Sequence, residues 1–140
     1  MNNNKINKIA CDESLVVAAK LAYERAYAPY SKFHVGAAAL TAKGNIISGC
    51  NVENASYGLT VCAERNCIAQ GVIQGEQKFS TLVIYTEIDK LTPPCGACRQ
   101  VIAEFFAQDA IITAVNHLGK SISWQVQELL PNAFLPSDLI

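Results

Sequence analysis

The chain has 140 residues, of which 51% are hydrophobic, and a formal net charge of −1 at pH 7. This length suits a single domain over residues 1–140 with a substantial core. The near balance of 11 Lys and Arg against 12 Asp and Glu excludes the electrostatic attraction on which nucleic-acid and anionic-membrane proteins rely. We therefore expect neither nucleic acid nor a membrane among the partners of this protein.

The cysteines and the N-terminal residues bear on the cellular compartment. Six cysteines and no signal-peptide pattern favour a reducing compartment, in which thiols persist for metal binding, so we expect a cytoplasmic protein. No apolar stretch approaches the length that crosses a membrane. The polar opening over residues 1–11 is expected to form a loose tail.

The first half of the chain predicts a helix followed by an antiparallel hairpin. Asp12 can cap the helix, and Pro29 ends it. Its inner face is predicted to carry Leu15, Ala18, Ala19, Ala22, Tyr23 and Ala26. Apolar strands over residues 33–40 and 46–52 flank the turn sequence Lys43-Gly44-Asn45, which is typical of a hairpin.

Helices and strands alternate along the second half. They are a helix from Cys62, a strand over 82–85, a helix after Pro93-Pro94, a strand over 111–115, an edge strand over 121–124 and a short helix over 126–130. The helix from Cys62 is predicted to bury Ile68, Ala69, Val72 and Ile73. A strand, a helix and a strand in succession predict a right-handed parallel crossover. The fold class is therefore α/β, with a mixed, five-stranded sheet between helices on both faces, and ligands are expected where helices start beyond the strand ends.

Two cysteine clusters stand at predicted helix starts: Cys62-Ala63-Glu64 and Pro93-Pro94-Cys95-Gly96-Ala97-Cys98. The N–H groups at a helix start favour thiolate over thiol. A structural zinc site normally closes with four protein ligands, whereas a catalytic site keeps one position for water. The spacing is similar to the signature of zinc-dependent deaminases, in which the Glu moves protons and does not bind the metal. The pattern therefore favours catalytic zinc with Cys62, Cys95 and Cys98 as ligands and Glu64 as the proton carrier.

Two other interpretations of these cysteines have to be weighed. A Cys-x-x-Cys pair also marks redox sites, but a thioredoxin-like site has no use for a third Cys followed two residues later by Glu. A structural zinc module needs a fourth ligand, and in principle Cys11, His34, Cys50, Cys67 or His117 could supply it. Cys67 is predicted to face away from the start of its helix, and Cys50 is expected to pack and not to ligate.

Two arginines directly follow the cysteine motifs. Three thiolates give a zinc site a net charge of −1, which makes the metal a weaker Lewis acid. Arg65 and Arg99 could each donate a hydrogen bond to sulfur and restore part of that acidity. The alternative is that both are solvated surface arginines.

Five segments together resemble one family, the small homo-oligomeric cytidine deaminases. They are Ala28-Pro29-Tyr30-Ser31-x-Phe33-x-Val35-Gly36-Ala37-Ala38, Asn51-Val52-Glu53-Asn54-Ala55-Ser56-Tyr57, Cys62-Ala63-Glu64-Arg65, Pro94-Cys95-Gly96-Ala97-Cys98-Arg99-Gln100 and Leu129-Leu130-Pro131-x-Ala133-Phe134. The resemblance runs from about residue 15 to residue 134, with every segment in order. It implies the three-layer α-β-α fold of that family, one Zn²⁺ per subunit and a homotetramer.

The resemblance also implies roles for individual residues. Asn51 and Glu53 match positions that hold the ribose hydroxyls, and Phe33 matches the aromatic residue that packs against the pyrimidine ring. Ala63 would hydrogen-bond the base through its backbone. Glu64 would contact N3 and the leaving amine.

Three further positions match residues that the family presents to a neighbouring subunit. Ala55 and Tyr57 resemble loop positions that reach a neighbour's site, and Phe134 resembles an aromatic residue that does the same. Taken alone, Phe134 would be interpreted as ordinary core packing. The active site is therefore expected to be shared between subunits.

The activity that the resemblance implies is hydrolytic deamination of cytidine and 2′-deoxycytidine, which would serve pyrimidine salvage. A related deaminase of an aminoacylated cytosine antibiotic shares the zinc motifs, but Phe33 and the Asn51-x-Glu53-Asn54 sequence favour a plain nucleoside. A polynucleotide deaminase would need a basic groove. A non-enzymatic, zinc-stabilised module would bind zinc and leave cytidine unchanged.

Overall fold

The computed structural model describes the backbone of residues 6–8 and the chain over residues 12–139. The strands are β1 (Ile6–Lys8), β2 (Gly36–Thr41), β3 (Ile46–Cys50), β4 (Phe79–Thr86), β5 (Phe106–Asn116) and β6 (Lys120–Gln125). The helices are α1 (Glu13–Tyr23), α2 (Ala63–Ile73), α3 (Gly96–Phe105) and α4 (Val126–Leu129), with 3₁₀ turns at Tyr57–Leu59 and Pro136–Leu139. No helix within the described ranges is both long and apolar enough to cross a membrane.

The six strands form one mixed sheet in the order β1-β6-β5-β4-β2-β3. β4 and β5 run parallel, joined by α3 in the predicted crossover, and the other neighbouring pairs are antiparallel. The predicted α/β fold with a mixed sheet between helices is confirmed. The strand count was one short, because residues 6–8 pair with β6 and bring Ile6 opposite Ile122. Residues 6–8 are therefore not part of a loose tail, and β6 is not an edge strand as predicted. The rest of the predicted tail lies outside the described residues.

Helix α1 covers one face of the sheet. Asp12 caps it as predicted, since its Oδ1 accepts a hydrogen bond from the Ser14 N–H at 2.8 Å. Leu15 and Ala19 are fully buried in a small core cluster with residues of β2, β4 and β5. The helix ends at Tyr23 and not near Pro29, so Ala26, predicted for its inner face, lies beyond it.

Helices α2, α3 and α4 cover the opposite face, where the larger core cluster lies. Helix α2 lies very close to strand β3. A Cβ atom added at Gly49 would come within 2.4 Å of the Cys67 backbone nitrogen. Glycine at this position therefore allows the backbone of α2 to lie directly on the sheet.

The buried face of α2 differs from the prediction. Ala63, Glu64, Cys67, Ile68 and Gly71 are buried, whereas Ala69 is exposed and Val72 and Ile73 are 43% and 80% exposed. The buried residues follow i, i+4 spacing, but a glutamate and a glycine interrupt the apolar stripe. Of the four residues predicted to be buried, Ile68 is confirmed and Ala69, Val72 and Ile73 are wrong.

The junction between α3 and β5 has no loop. Phe105 ends the helix, and Phe106 begins the strand. β5 pairs Phe106 with Phe79 and Ile111 with Thr81, so the ladder leaves residues 107–110 unmatched at the start of β5. The crossover is therefore tight at the helix end and irregular in the first residues of the strand.

Candidate active site

The two cysteine motifs meet because each one starts a helix on the same face of the sheet. Cys62 and Cys95 are the N-cap residues of α2 and α3, with extended backbones at φ −71° and −69°. Neither side chain caps its own helix with a hydrogen bond, so both sulfurs remain available to the site. Cys98 lies in the first turn of α3 and is fully buried. Two helix starts thus supply three sulfurs to one point.

The spacing of the sulfurs fits a tetrahedral metal. The three Sγ atoms lie within 4.8 Å of one another, and the Cys62 and Cys95 Sγ atoms are 3.7 Å apart. Zn–S bonds of about 2.3 Å at tetrahedral angles place two sulfurs about 3.8 Å apart. Within the described part of the chain, this is the one group of three or more His, Cys, Asp or Glu side chains with such spacing.

The remaining candidate ligands lie elsewhere. The Cys67 thiol is fully buried and donates to the Ile47 carbonyl at 3.3 Å, and burial raises its pKa to about 12. Cys50, His34 and His117 are not part of the sulfur group, and Cys11 lies outside the described residues. The donor set therefore consists of three thiols, which leaves the fourth position of a tetrahedral ion open, as in catalytic zinc sites.

A nearby arginine and the neighbouring sulfurs stabilise negative charge on Cys62. The Arg65 Nη2 donates to the Cys62 Sγ at 3.5 Å. Hydrogen bonds from Cys98, Arg65 and Cys95 lower the pKa of the Cys62 thiol to about 5, while the bond to Cys62 and burial raise the pKa of Cys98. One thiolate is therefore already favoured in this group, and a metal that binds here displaces the remaining thiol protons.

Arg99 behaves differently from the prediction. Its Nε donates to the Pro94 carbonyl at 2.8 Å, and its Nη1 donates to the Leu129 carbonyl at 2.9 Å. The guanidinium thus fastens the segment before Cys95 to the end of α4 and does not direct these donors at a sulfur. The sequence could not reveal this, because Leu129 is 30 residues away along the chain.

Glu64 lies beside the sulfurs in the first turn of α2 and is 5% exposed. Burial raises the pKa of its carboxyl to about 7, with a smaller contribution from the nearby Cys62 charge and with a backbone hydrogen bond and Arg65 acting in the opposite direction. A carboxyl that is half protonated near neutral pH can both accept and donate a proton, which is the requirement for acid–base catalysis.

A cavity of about 220 Å³ opens in front of Glu64 and two of the sulfurs. It is lined by Phe33, Val35, Asn51, Glu53, Thr60, Cys62, Ala63, Glu64, Ile84, Thr92, Pro93 and Cys95. Seven of the predicted site residues therefore share one cavity. Sequence reasoning missed Val35, Thr60, Ile84 and Thr92, whose residue types carry no chemical signal on their own. The volume is below the range typical of drug-sized ligands, so the cavity suits a small molecule.

Two polar side chains of the cavity lining, Asn51 and Glu53, are held in place by hydrogen bonds. The Asn51 side chain is 7% exposed, accepts from the Val35 N–H at 2.9 Å and donates to the Phe33 carbonyl at 2.8 Å. The Glu53 carboxylate accepts from the N–H groups of Tyr30 and Ser31 at 3.0 and 3.2 Å and from the Ser31 hydroxyl. These hydrogen bonds, that of the Ser31 hydroxyl foremost, lower the pKa of Glu53.

The three residues predicted to act across subunits lie outside the cavity. Ala55 is exposed, and Tyr57 and Phe134 are 75% and 58% exposed. Tyr57 lines a neighbouring groove of about 270 Å³ with Tyr30, Ser31, Glu53 and Thr60. A single chain therefore does not bring these side chains to its own cavity.

Comparison with known proteins identifies the family. The family model described as the cytidine and deoxycytidylate deaminase zinc-binding region matches residues 9–114. The chain belongs to this family. A curated cytidine deaminase from Sporosarcina psychrophila is 44% identical over 127 residues, which cover 91% of this chain and 93% of the relative. A cytidine deaminase from Halalkalibacterium halodurans is 42% identical, with 91% and 96% covered.

Solved structures agree with this assignment. The crystal structure of cytidine deaminase from Burkholderia pseudomallei superposes with a TM-score of 0.84 at 42% identity, covering 89% of this chain and 99% of that one. The cytidine deaminase of Mycobacterium tuberculosis superposes with a TM-score of 0.76 at 38% identity, covering 87% and 95%. A more distant relative of this deaminase-family chain, a blasticidin-S deaminase from Bacillus cereus, is 34% identical over 109 residues, or 72% of this chain and 76% of the relative.

Proposed function

We propose that this protein is a zinc-dependent enzyme that hydrolyses cytidine and 2′-deoxycytidine to uridine and 2′-deoxyuridine, releasing ammonia. The observation that carries the proposal is one small cavity that is lined by Cys62 and Cys95 of the sulfur group, by the buried Glu64 and by the polar side chains of Asn51 and Glu53. Cytidine deaminases at 40–44% identity over most of the chain support the same substrate class.

Cys62, Cys95 and Cys98 would hold one zinc ion per subunit, because their spacing and chemistry suit it. When bound, zinc supplies Lewis acidity that makes a water molecule acidic enough to be a nucleophile near neutral pH. Arg65 donates to Cys62 and offsets part of the thiolate charge that would weaken this acidity.

Glu64 moves the protons of the reaction. It takes a proton from the attacking water, whose oxygen forms a bond to C4 of the pyrimidine, and delivers that proton to N3. Glu64 then carries the second proton of that water, from the oxygen now bonded to C4, to the exocyclic amine. The C4–N bond breaks, and ammonia leaves. The pKa of about 7 supports both directions of transfer.

The rest of the cavity orients the nucleoside. Phe33 provides an aromatic wall for the pyrimidine ring, and the Ala63 backbone binds the base beside Glu64. Asn51 and Glu53 bind ribose hydroxyls, and the lowered pKa of Glu53 keeps its carboxylate ionised as an acceptor. Thr60 and Thr92 bring further polar groups to the lining.

The active site is shared between the subunits of a homotetramer. The exposure of Ala55, Tyr57 and Phe134 in one chain supports this proposal, since their predicted roles need a neighbouring subunit. The exposed Val72 and Ile73 on α2 are further apolar surface that an assembly can bury. Light scattering of the intact chain should give a stable tetramer, and a fully active monomer would contradict the shared site.

Removal of residues 132–140 tests the contribution of Phe134 to the neighbouring site. Zinc content should stay near one per chain while the KM for cytidine rises, because an aromatic wall of the pocket is lost. Phe134→Ala should reproduce the rise, and Leu139→Ala, an exposed change in the same segment, should not. A truncated chain with the wild-type KM would rule out the role of Phe134.

The natural substrate is a free nucleoside and not nucleic acid, because the chain carries no excess of basic residues. We place the enzyme in the cytoplasm, where reduced cysteines can bind zinc, and we assign it to pyrimidine salvage. The principal alternative is deamination of an aminoacylated cytosine antibiotic, since a blasticidin-S deaminase is among the relatives. Phe33 and the polar pair Asn51 and Glu53 in the cavity lining favour the plain nucleoside.

An ultraviolet assay on cytidine, 2′-deoxycytidine and blasticidin S, combined with measurement of ammonia, tests the function directly. We expect turnover of both nucleosides by the zinc-loaded protein. A folded, zinc-loaded protein that releases ammonia from neither nucleoside would refute the proposed activity. Preference for the antibiotic by kcat/KM would establish the alternative.

A further inference from the structure

The backbone of Phe33 is held by side chains. Its N–H donates to the Ser31 Oγ at 3.0 Å, and its carbonyl accepts from the Asn51 Nδ2 at 2.8 Å. Phe33 precedes β2, which begins at Gly36, so no sheet ladder fixes it. The position of this aromatic wall therefore depends on the two side chains.

The Ser31 hydroxyl makes a second hydrogen bond. It accepts from the Phe33 N–H and donates to Glu53 Oε2, while the Ser31 N–H donates to Glu53 Oε1. A hydroxyl offers one donor and two acceptor lone pairs, so it can connect an N–H to a carboxylate. Linked hydrogen bonds polarise and strengthen one another. Ser31 thus joins Phe33 to the Glu53 carboxylate, and both of these residues line the cavity.

The intervening Lys32 shows that this segment is a tightly specified turn. Its φ is +62°, in the left-handed region that residues other than glycine adopt uncommonly. Its N–H donates to the Ala28 carbonyl at 3.0 Å. A conformation of this kind persists only where surrounding bonds fix it, and the hydrogen bonds of Ser31 to Phe33 and Glu53 are among those bonds.

We propose that Ser31 is a positioning residue, whose hydroxyl holds Phe33 and Glu53 in a fixed relation before the nucleoside binds. The proposal rests on the proposed function for the roles of Phe33 and Glu53 as binding groups. Ser31 itself is absent from the cavity lining and lies in the neighbouring groove. It therefore acts on ground-state binding, through the other two residues, and not on the proton transfers.

The test compares Ser31→Ala and Ser31→Thr with Ser48→Ala, an exposed serine on β3. The first measurement is hydrogen exchange of the Phe33 amide in the zinc-loaded protein. Loss of the hydroxyl in Ser31→Ala should speed this exchange about tenfold, in line with loss of a hydrogen bond worth about 1 kcal/mol or more. Threonine keeps a hydroxyl and should restore protection, and Ser48→Ala should leave it unchanged.

The second measurement is steady-state kinetics. Ser31→Ala should raise the KM for cytidine about tenfold with kcat nearly unchanged, the pattern for loss of uniform binding. The rise should be smaller with 2′,3′-dideoxycytidine, which lacks the hydroxyls that Glu53 would bind. Ser31→Thr should recover the wild-type KM.

Each outcome of these two measurements either supports or overturns the positioning role of Ser31. Unchanged exchange of the Phe33 amide in Ser31→Ala overturns the proposal, whatever the enzyme does. Faster exchange with an unchanged KM, or a fall in kcat alone, overturns it as well, since Ser31 would then be a local turn residue or part of the chemistry. A wild-type protein inactive on cytidine would refute the proposed function instead, and the exchange measurement would still decide whether Ser31 holds Phe33.

Discussion

The starts of α2 and α3 carry similar motifs in different surroundings. At α2, Glu64 is 5% exposed and Cys67 is fully buried, and the helix backbone lies directly on Gly49. At α3, Cys95, Gly96 and Ala97 are exposed and Cys98 is fully buried. The α2 start therefore lies against the sheet and holds Glu64, the proposed proton carrier, whereas the α3 start brings one exposed and one buried sulfur to the group. In a site assembled in this way, the α2 start holds its side chains in a fixed position, and the α3 start leaves room for a small molecule to enter.

The two arginines repeat this difference. Arg65 donates to the Cys62 sulfur and therefore acts on the charge of the site. Arg99 donates to the carbonyls of Pro94 and Leu129 and therefore acts on the position of the chain that carries Cys95. The two arginines therefore support the site in different ways, one through charge and the other through chain position.

The largest effect is expected from Glu64→Gln at the α2 start. This change keeps the shape but removes the proton carrier, a role worth roughly 10²–10⁴-fold and more when one residue serves several transfers. Turnover should fall by several orders of magnitude while zinc content stays near one per chain. Glu104→Gln, an exposed change at the far end of α3, is the control. Near-normal turnover in a folded, zinc-loaded Glu64→Gln protein would exclude the assigned role.

The cysteine changes test whether both helix starts are needed for the metal. Cys62→Ala, Cys95→Ala and Cys98→Ala should each lower zinc occupancy sharply, as measured by metal analysis after dialysis against a chelator. Cys67→Ala should lower stability but keep zinc, because its thiol is buried against the Ile47 carbonyl.

Cys50→Ala provides the control for the number of protein ligands. The partly buried Cys50 is outside the sulfur group, and its carbonyl accepts from the Asn66 side chain at 2.8 Å. Zinc should therefore remain in Cys50→Ala. Loss of zinc in this variant would mean four protein ligands and a structural site, which would also contradict the catalytic interpretation.

Substitution of each arginine should separate an effect on the charge of the site from an effect on the position of the chain that carries Cys95. Arg65→Ala should lower kcat while zinc is retained, whereas Arg99→Ala should speed zinc release to a chelator. Removal of an outer-shell partner typically costs about 10–100-fold in metal affinity or activity. Arg65→Lys and Arg99→Lys keep the positive charge and should recover part of each loss. The same pattern of loss in both alanine variants would argue against separate roles.

The smallest expected effect concerns how closely the starts of α2 and α3 pack against their surroundings. Gly49→Ala should lower the free energy of unfolding by about 1–3 kcal/mol or more, because its Cβ would meet the backbone of Cys67 at 2.4 Å. At Gly96 an added Cβ has nothing within 4 Å, so Gly96→Ala should leave stability unchanged or slightly higher. Denaturant titration of both variants measures the difference. Equal destabilisation would show that α2 is not seated more tightly than α3.

The sequence predicts most of the fold because local signals and global packing agree there. The Asp12 cap, the hairpin at Lys43-Gly44-Asn45 and the β4-α3-β5 crossover all occur as expected. Strand β1 escaped prediction because its three residues carry too short a pattern. The buried face of α2 was predicted correctly only at Ile68, because Glu64 occupies a core position, where hydrophobicity is a poor guide.

The chemistry of the site could be predicted from the sequence, but the hydrogen bonds that hold its residues in place could not. The residue types and spacing of the cysteines indicated a metal site, and the structure gathers their sulfurs. The contact of Arg99 with the Leu129 carbonyl and the bonds between Ser31 and Glu53 join segments more than 20 residues apart, so no local pattern reveals them. The roles of Ala55, Tyr57 and Phe134 stay predictions, because they depend on a second subunit.

The irregular start of β5 tells an engineer where the chain can be lengthened. An extra residue inside β4 or the regular part of β5 would turn the following side chains to the opposite side of the sheet. Residues 107–110 already stand outside the regular ladder, and Ala107 and Asp109 are exposed. A tag, a fluorophore-bearing loop or a tether to a surface inserted there would leave the register intact. The helix that carries Cys95 and Cys98 would keep its place.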